Sequence, residues 1–356
     1  MLTGDLDRLL AAEIAALPPP ALTTAGTWQP APHDSAPAPG TYGTPVAFRL
    51  AGGHPATALK IAMTLAAALR RADWVCSATV TGGYVTVTVT QDALARLAVR
   101  ITAAGSACAR SRALAGATVP APPEPDLAVA ADWAAAWWQL AAHLTGRLAE
   151  AAGARTFPSF AAERRPVAGP APGRTGPVAD AINFAGASEI RYALARIAPG
   201  TPVRVDPGDA AQRRLDVPAY AVRYAHSRAA STLRQAADLG LSLGEAAEFD
   251  PRLLAHPSEQ ALLGELSWLP ERVAGAARRA RPDTFPRYLE RLAGAYLDCQ
   301  EQCPAVWPGI VGRGGGVGGS RAGGPQVVAR LWLAAACATA LRAGLDLLGV
   351  DAPDRL

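Results

Sequence analysis

Lysine is nearly missing from this chain of 356 residues. Lys60 is the only one, and arginine supplies the rest of the 34 basic residues. Together with the excess of alanine, glycine and proline, this reads as a genomic compositional bias and marks no function. Thirty acidic residues leave a formal charge of only +4, so composition by itself selects no polyanionic partner. The five cysteines, Cys76, Cys108, Cys299, Cys303 and Cys337, contain no C-x-x-C pair. That excludes a disulfide framework or a zinc cluster of the usual spacing. Cys299 and Cys303, one helical turn apart, read as packing residues in a reducing cytoplasm. No two of His33, His54, His143, His226 and His256 have metal-ligand spacing, and no nucleophile elbow or triad can be assembled. The first 17 residues carry Asp5, Asp7 and Glu13 without a basic region, unlike a signal peptide. The longest apolar stretch near the C-terminus, between Arg330 and Arg342, is too short to cross a bilayer. A soluble, cytoplasmic protein with no membrane partner, cofactor, metal or catalytic residue is the expectation.

What is present is apolar residue in quantity, 50%, enough to build packed cores in the two or three domains that this length suggests. Residues 3 to 17 predict a short amphipathic helix ended by Pro18, Pro19 and Pro20. Val46 to Leu50 reads as a strand, and Ala56 to Arg71 as a helix with Leu59, Met63, Ala66 and Leu69 on one face. Val75 to Thr90 reads as two strands, the second alternating strictly from Tyr84 to Thr90. Between Asp92 and Ala185 two apolar helices are expected, Asp92 to Ala104 and Leu127 to Ala152, followed by a Pro/Gly/Arg-rich linker from Phe157 to Pro177. No alternation of strands and helices shows in that stretch. From Ser188 onward the pattern is nearly all helical, broken by a Gly-rich loop from Gly309 to Gly324.

Gly314, Gly316 and Gly319 have the G-x-G-x-x-G spacing, but no strand precedes them and no acid follows about twenty residues later, so a flexible loop is the better reading. Trp133, Trp137 and Trp138 lack interleaved basic residues and read as core or inter-domain packing. The helix from Pro218 to Leu239 is more informative. Asp216 is placed to cap it and Pro218 suits its first turn. Val222, His226, Ala229 and Leu233 form its apolar stripe, which makes His226 a hydrogen-bonded core histidine. Tyr220, Tyr224, Arg228 and Ser231 align on another face. Arg213, Arg214, Arg223, Arg228 and Arg234 outnumber Asp216 and Asp238 by three. Rings flanked by guanidinium groups suit unstacked RNA bases and phosphates.

These residues resemble a family. Tyr224-Ala225-His226-Ser227-Arg228 resembles the Tyr-Ala-His-Ala/Ser-Arg signature opening the DALR-type anticodon-binding domain of arginyl-tRNA synthetases. Upstream, Gly186 to Leu194 is similar to the segment joining that family's catalytic domain to its helical bundle. Tyr288 to Ala293 running on to Cys303-Pro304, and Gly344 to Pro353, look like the end of the same domain. Gly40 to Ala47 and Gly83 to Val87 resemble the start and last strand of the family's N-terminal additional domain. The resemblance implies an α+β protein with a small α/β N-terminal domain over residues 1–92 that contacts the tRNA corner. A reduced helical region and linker over 93–185 would follow, then an all-α anticodon-binding bundle over 186–356.

Within that family a nucleotide-binding sheet with a His-x-Gly-His motif and a lysine-bearing mobile loop lies between the two ends. This chain contains no His-x-Gly-His, and its one lysine belongs to the N-terminal unit. Phosphoryl chemistry without its charge clamp loses several kcal/mol of transition-state stabilisation. Ala221, Val217 and Arg223 also stand where the family usually has tyrosine, asparagine and glutamine, which puts anticodon discrimination in question. The leading expectation is a non-catalytic tRNA-binding paralogue, for tRNA-Arg or a subset, with Tyr220, Arg223, Tyr224, Arg228 and Arg234 as contacts. The alternatives are a protein-interaction scaffold, with a protein partner or self-association through the Trp133, Trp137 and Trp138 helix, and a residual arginine-tRNA ligase.

Overall fold

The computed structural model describes residues 2–16, 38–159, 176–306 and 324–356. The first unit holds α1 (Leu2–Ala15), β1 (Thr41–Thr44), α2 (Val46–Leu50), α3 (Pro55–Leu69), β2 (Val75–Thr81) and β3 (Tyr84–Val89). Its antiparallel sheet has the order β1-β3-β2. The β2–β3 hairpin turns on Gly82 and Gly83, both at positive φ (55° and 93°), as a primed two-residue turn requires. A side chain at Gly83 would also meet the Phe48 ring, 2.9 Å from the position of its Cβ. The alternation in β3 buries Val85, Val87 and Val89, as the sequence predicts.

Two expectations here are corrected. Val46 to Leu50 is helical, not a strand: Val46, Ala47 and Leu50 share one buried helical face, and the third strand is the preceding Thr41–Thr44. A five-residue apolar run does not distinguish the two periods. On α3 the buried face is Ala58, Ile61, Ala62, Leu65, Ala66 and Leu69, while Leu59 (42%) and Met63 (58%) are exposed.

The middle of the chain departs most from its sequence reading. The helix expected over Asp92 to Ala104 is two, α4 (Gln91–Ala95), capped by Thr90 Oγ1 accepting from Ala93 N at 3.3 Å, and α5 (Leu97–Ala104). The expected Leu127 to Ala152 helix is a 3-10 turn at Leu127–Val129 followed by α6 (Trp133–Ala151), capped by Asp132 Oδ1 from Ala135 N at 2.8 Å. Strand–helix alternation does occur: β4 (Thr118–Ala121) and β5 (Arg155–Pro158) pair in parallel across α6, forming one β-α-β unit. Four-residue strands that each contain a proline left no alternating signal to detect. Gly146 lets α6 lie directly on β4, since a Cβ there would sit 2.8 Å from Ala121 Cα.

This parallel sheet stops at two strands among the described residues. Arg155 N donates to Ala117 O at 2.8 Å, so the amides of Arg155 and Phe157 face β4. Direction alternates along a strand, so Thr156 and Pro158 on β5, and Thr118 and Pro120 on β4, face outward. Each open edge therefore carries a proline at an outward position, where the missing N–H cannot recruit another strand. Phe157 and Pro158, expected in the linker, belong to β5. Residues 160–175 of that tract lie outside the described residues, as do Gly314, Gly316 and Gly319.

The remaining elements are helices: α7 (Pro177–Ala185), α8 (Ala187–Ala195), α9 (Pro207–Ala210), α10 (Pro218–Asp238), α11 (Pro257–Ser267), α12 (Leu269–Arg278), α13 (Thr284–Gln302) and α14 (Pro325–Leu348). Among the described residues α14 alone is long and apolar enough to span a bilayer, yet 72% of its apolar window is buried inside the protein. It packs on α10 and on α5, so one hydrophobic core runs from Leu2 to Val350. Tyr42 on β1 sets its ring 5.3 Å from that of Trp268 at the start of α12, joining the N-terminal sheet to the bundle. Helix α14 ends in a left-handed Gly349 (φ 67°), and the Arg191 guanidinium occupies the space a side chain there would need, 2.7 Å from the Cβ position. Arg191 Nε donates to Leu348 O at 2.6 Å, satisfying one carbonyl of the helix end.

Candidate nucleic-acid interface

Pro218 occupies the first turn of α10, where a missing amide costs nothing, but the helix has no side-chain cap. Asp216 is not the cap the sequence suggested. It pairs instead with Arg214, whose Nε donates to Oδ1 at 2.9 Å, an exposed pair two residues apart. Val222, Ala225, His226 and Ala229 are fully buried, and Leu233 is half-buried against the core.

The opposite side holds the predicted contact residues, and the structure separates them. Tyr220 and Tyr224 stack with ring centroids 5.8 Å apart and planes inclined by 23°, each half-buried. Arg228, one turn further, is exposed, and its Nε donates to Gln300 Oε1 on α13 at 3.2 Å. Arg234 is half-buried and has no hydrogen bond or ion pair to a described residue. Arg223 is held differently: it makes an ion pair with Glu189 of α8, its side chain is only 15% exposed, and its Nε is buried without a partner among the described residues. Helical spacing placed it beside Tyr224 but could not show that α8 packs along that flank.

The histidine and serine of the signature work inward. The buried His226 Nδ1 donates to Pro353 O at 3.1 Å, and Ser227 Oγ to Asp354 O at 3.2 Å. Ser188 Oγ donates to Asp351 Oδ2 at 2.9 Å, and Arg342 bonds Asp354 at 2.5 Å. The C-terminal strip from Asp351 to Asp354 is thereby strapped across α8, α10 and α14. Sequence reasoning placed His226 in the core correctly, but its partner lies 127 residues away and leaves no local signal. The residues behind Arg228 were missed for the same reason: Gln300, Thr232 and Tyr296 converge from two helices.

Burial pushes the His226 pKa down, more than the Pro353 carbonyl raises it, and Arg342 adds to the depression. Its Nε2 is buried with no partner among the described residues, so the imidazolium would carry an unsatisfied N–H. A base whose folded pKa lies below its unfolded value of about 6.5 contributes stability that is present above that value and lost as pH falls below it. His143 shifts in the same direction for the same leading reason. Urea midpoints should therefore fall between pH 7.5 and 5, and His226→Asn should flatten part of that dependence. An identical profile in the variant would remove His226 from the account.

Beneath the first turn of α10 lies a cleft of about 600 Å³. Its arginines, Arg196, Arg204, Arg214 and Arg287, are matched in number by Glu189, Asp206, Asp209 and Asp216, so it offers no net charge to an anion. Trp137 Nε1 donates to Ile197 O at 3.0 Å, and Trp133 and Trp137 pack on the core, whereas Trp138 is 40% exposed.

Residues 222–356 match the family model of the DALR anticodon binding domain. The C-terminal half is related to arginyl-tRNA synthetases. An arginine–tRNA ligase of Micrococcus luteus is 37% identical over 183 residues, 50% of this chain and 30% of that protein. One from Chloroflexus aggregans is 41% identical over 136 residues, 38% of this chain and 21% of that protein. The chain thus spans under a third of the length of these relatives. The Thermus thermophilus arginyl-tRNA synthetase structure superposes with a TM-score of 0.67 at 14% identity, covering 100% of each chain, a likeness of fold. The α+β architecture with its C-terminal helical bundle agrees with that arginyl-tRNA synthetase fold. The match to the DALR domain begins within α10, so Tyr224 and Arg228 lie inside the matched span and Tyr220 just before it.

Proposed function

We propose that this protein binds tRNA, tRNA-Arg or a subset of it, through the outward face of α10, and that it does not aminoacylate its ligand. The observation that carries the first part is the line Tyr220, Tyr224, Arg228 on α10, the helix within which the match to the DALR anticodon binding domain begins. Two stacked rings ending in an exposed guanidinium whose only described partner is a neutral amide offer π-faces to unstacked bases and a charge to phosphate.

The middle region supports the second part. Doubly wound sheets bind nucleotides outside the carboxyl ends of their strands, where strand order reverses. Among the described residues the parallel sheet has two strands, with proline at both edges, and no such reversal. The loop leaving β4 is held by its own chain: His143 Nδ1 donates to Pro122 O at 3.0 Å, and Arg191 pairs with Glu124 at 2.9 Å. With no His-x-Gly-His and no lysine beyond Lys60, the charge clamp for phosphoryl transfer is also missing from the sequence.

Filter binding with a tRNA-Arg transcript tests the reading. Retention is expected at low ionic strength and should fall steeply with salt as counterions are released. No salt-sensitive retention at low ionic strength overturns tRNA binding. Pyrophosphate exchange dependent on arginine, ATP and tRNA overturns the non-catalytic part. A scaffold role has one observation in its favour, the exposed Trp138 ring. A Trp138→Ala variant that keeps tRNA retention but loses self-association or a protein partner would favour it.

A further inference from the structure

Behind Arg228 stands a polar network that the signature does not announce. Arg228 Nε donates to Gln300 Oε1 at 3.2 Å, Gln300 Nε2 donates to Thr232 Oγ1 at 3.2 Å, and Thr232 Oγ1 donates to the Arg228 carbonyl at 3.0 Å. The Tyr296 hydroxyl lies 3.5 Å from the same Thr232 oxygen. These partners fix which way the amide faces. An arginine Nε can only donate, so the Gln300 oxygen must meet it. Thr232 spends its proton on the Arg228 carbonyl, so its oxygen must accept from the Gln300 nitrogen.

Two capacities are left over. Arg228 is held at Nε, no described carboxylate pairs with it, and neither Nη group has a described partner. Gln300, half-buried at the seam of α10 and α13, keeps one N–H and one oxygen lone pair unengaged by described residues. A guanidinium contact to phosphate carries no sequence information, but an amide with a free donor and acceptor does.

We infer that Gln300 is a base-reading residue, so that Arg228 takes the phosphate of an unpaired RNA nucleotide while the Gln300 amide meets the edge of that nucleotide's base. The inference rests on the RNA-binding reading of α10. It makes the discriminating group one that lies 72 residues from Arg228, outside the signature, on the helix facing it.

The test uses the full chain and RNA hairpins whose loops differ at single positions, with equilibrium affinities measured at one salt concentration. Gln300→Ala is expected to narrow the spread between the tightest and weakest loop by about tenfold, mostly by weakening the tightest. Gln300→Glu keeps the acceptor for Arg228 but compensates its charge, and is expected to lower the slope of log K against log salt by about one phosphate contact. If Gln300→Ala weakens every loop equally, or the unaltered protein binds all loops alike, the inference is overturned while RNA binding stands. If the unaltered protein binds no hairpin, the underlying reading fails instead. Should Gln300→Ala unfold, Gln300→Glu decides alone: an unchanged slope and an unchanged spread overturn the inference.

Discussion

Replacing Arg330 with methionine should destabilise the fold by about 3–5 kcal/mol, because it leaves a buried carboxylate without its cation. Glu259 on α11 is fully buried, and its two oxygens are accounted for. Oε1 accepts from Arg330 Nε at 2.8 Å, and Oε2 accepts from the His256 backbone N–H at 3.0 Å as half of a capping box. Arg330 also holds Pro304 O at 3.3 Å, so the pair ties α11 and the end of α13 to α14. The measurement is the urea midpoint of Arg330→Met against the unaltered protein. Adding Glu259→Gln should return much of the loss, since a neutral amide is far cheaper to bury. A loss under about 1 kcal/mol for Arg330→Met would show that the carboxylate finds other compensation and that the pair does not hold these helices.

The second large effect concerns RNA. Tyr224→Ala combined with Arg228→Ala should weaken tRNA binding about a hundredfold, from one lost stacking platform and one lost phosphate contact. Both side chains lie outside the buried core, so the circular dichroism spectrum should be unchanged. Arg223→Ala is the informative comparison. Its guanidinium is committed to Glu189, so it should lower stability while leaving the salt slope of binding intact. Equal losses of binding in Arg223→Ala and Arg228→Ala would contradict the division of labour the structure makes between them.

How much of this was legible in the sequence depended on how far each interaction reached along the chain. The β3 alternation and the apolar stripe of α10 are local periodicities, and both appear as read. Val46–Leu50 and the strands of the β-α-β unit were too short for a period to show. At the candidate site, Tyr220, Tyr224 and Arg228 were nominated from spacing of three and four, and they do line one side of α10. Glu189 and Gln300, which decide that Arg223 is captive and that Arg228 is held from behind, come from other helices and have no trace in the α10 pattern. His226 shows the same limit: its apolar neighbours announce burial, while the Pro353 carbonyl that satisfies it depends on the path of the C-terminus.

The outward prolines of β4 and β5 bear on complementation in trans. A separately expressed nucleotide-binding fragment that continued the parallel ladder would meet a donor at Thr118 or Thr156 but none at Pro120 or Pro158, so each edge is a poor template for it. A body that works beside this protein would find better footing in side chains on a face than in an extension of that ladder.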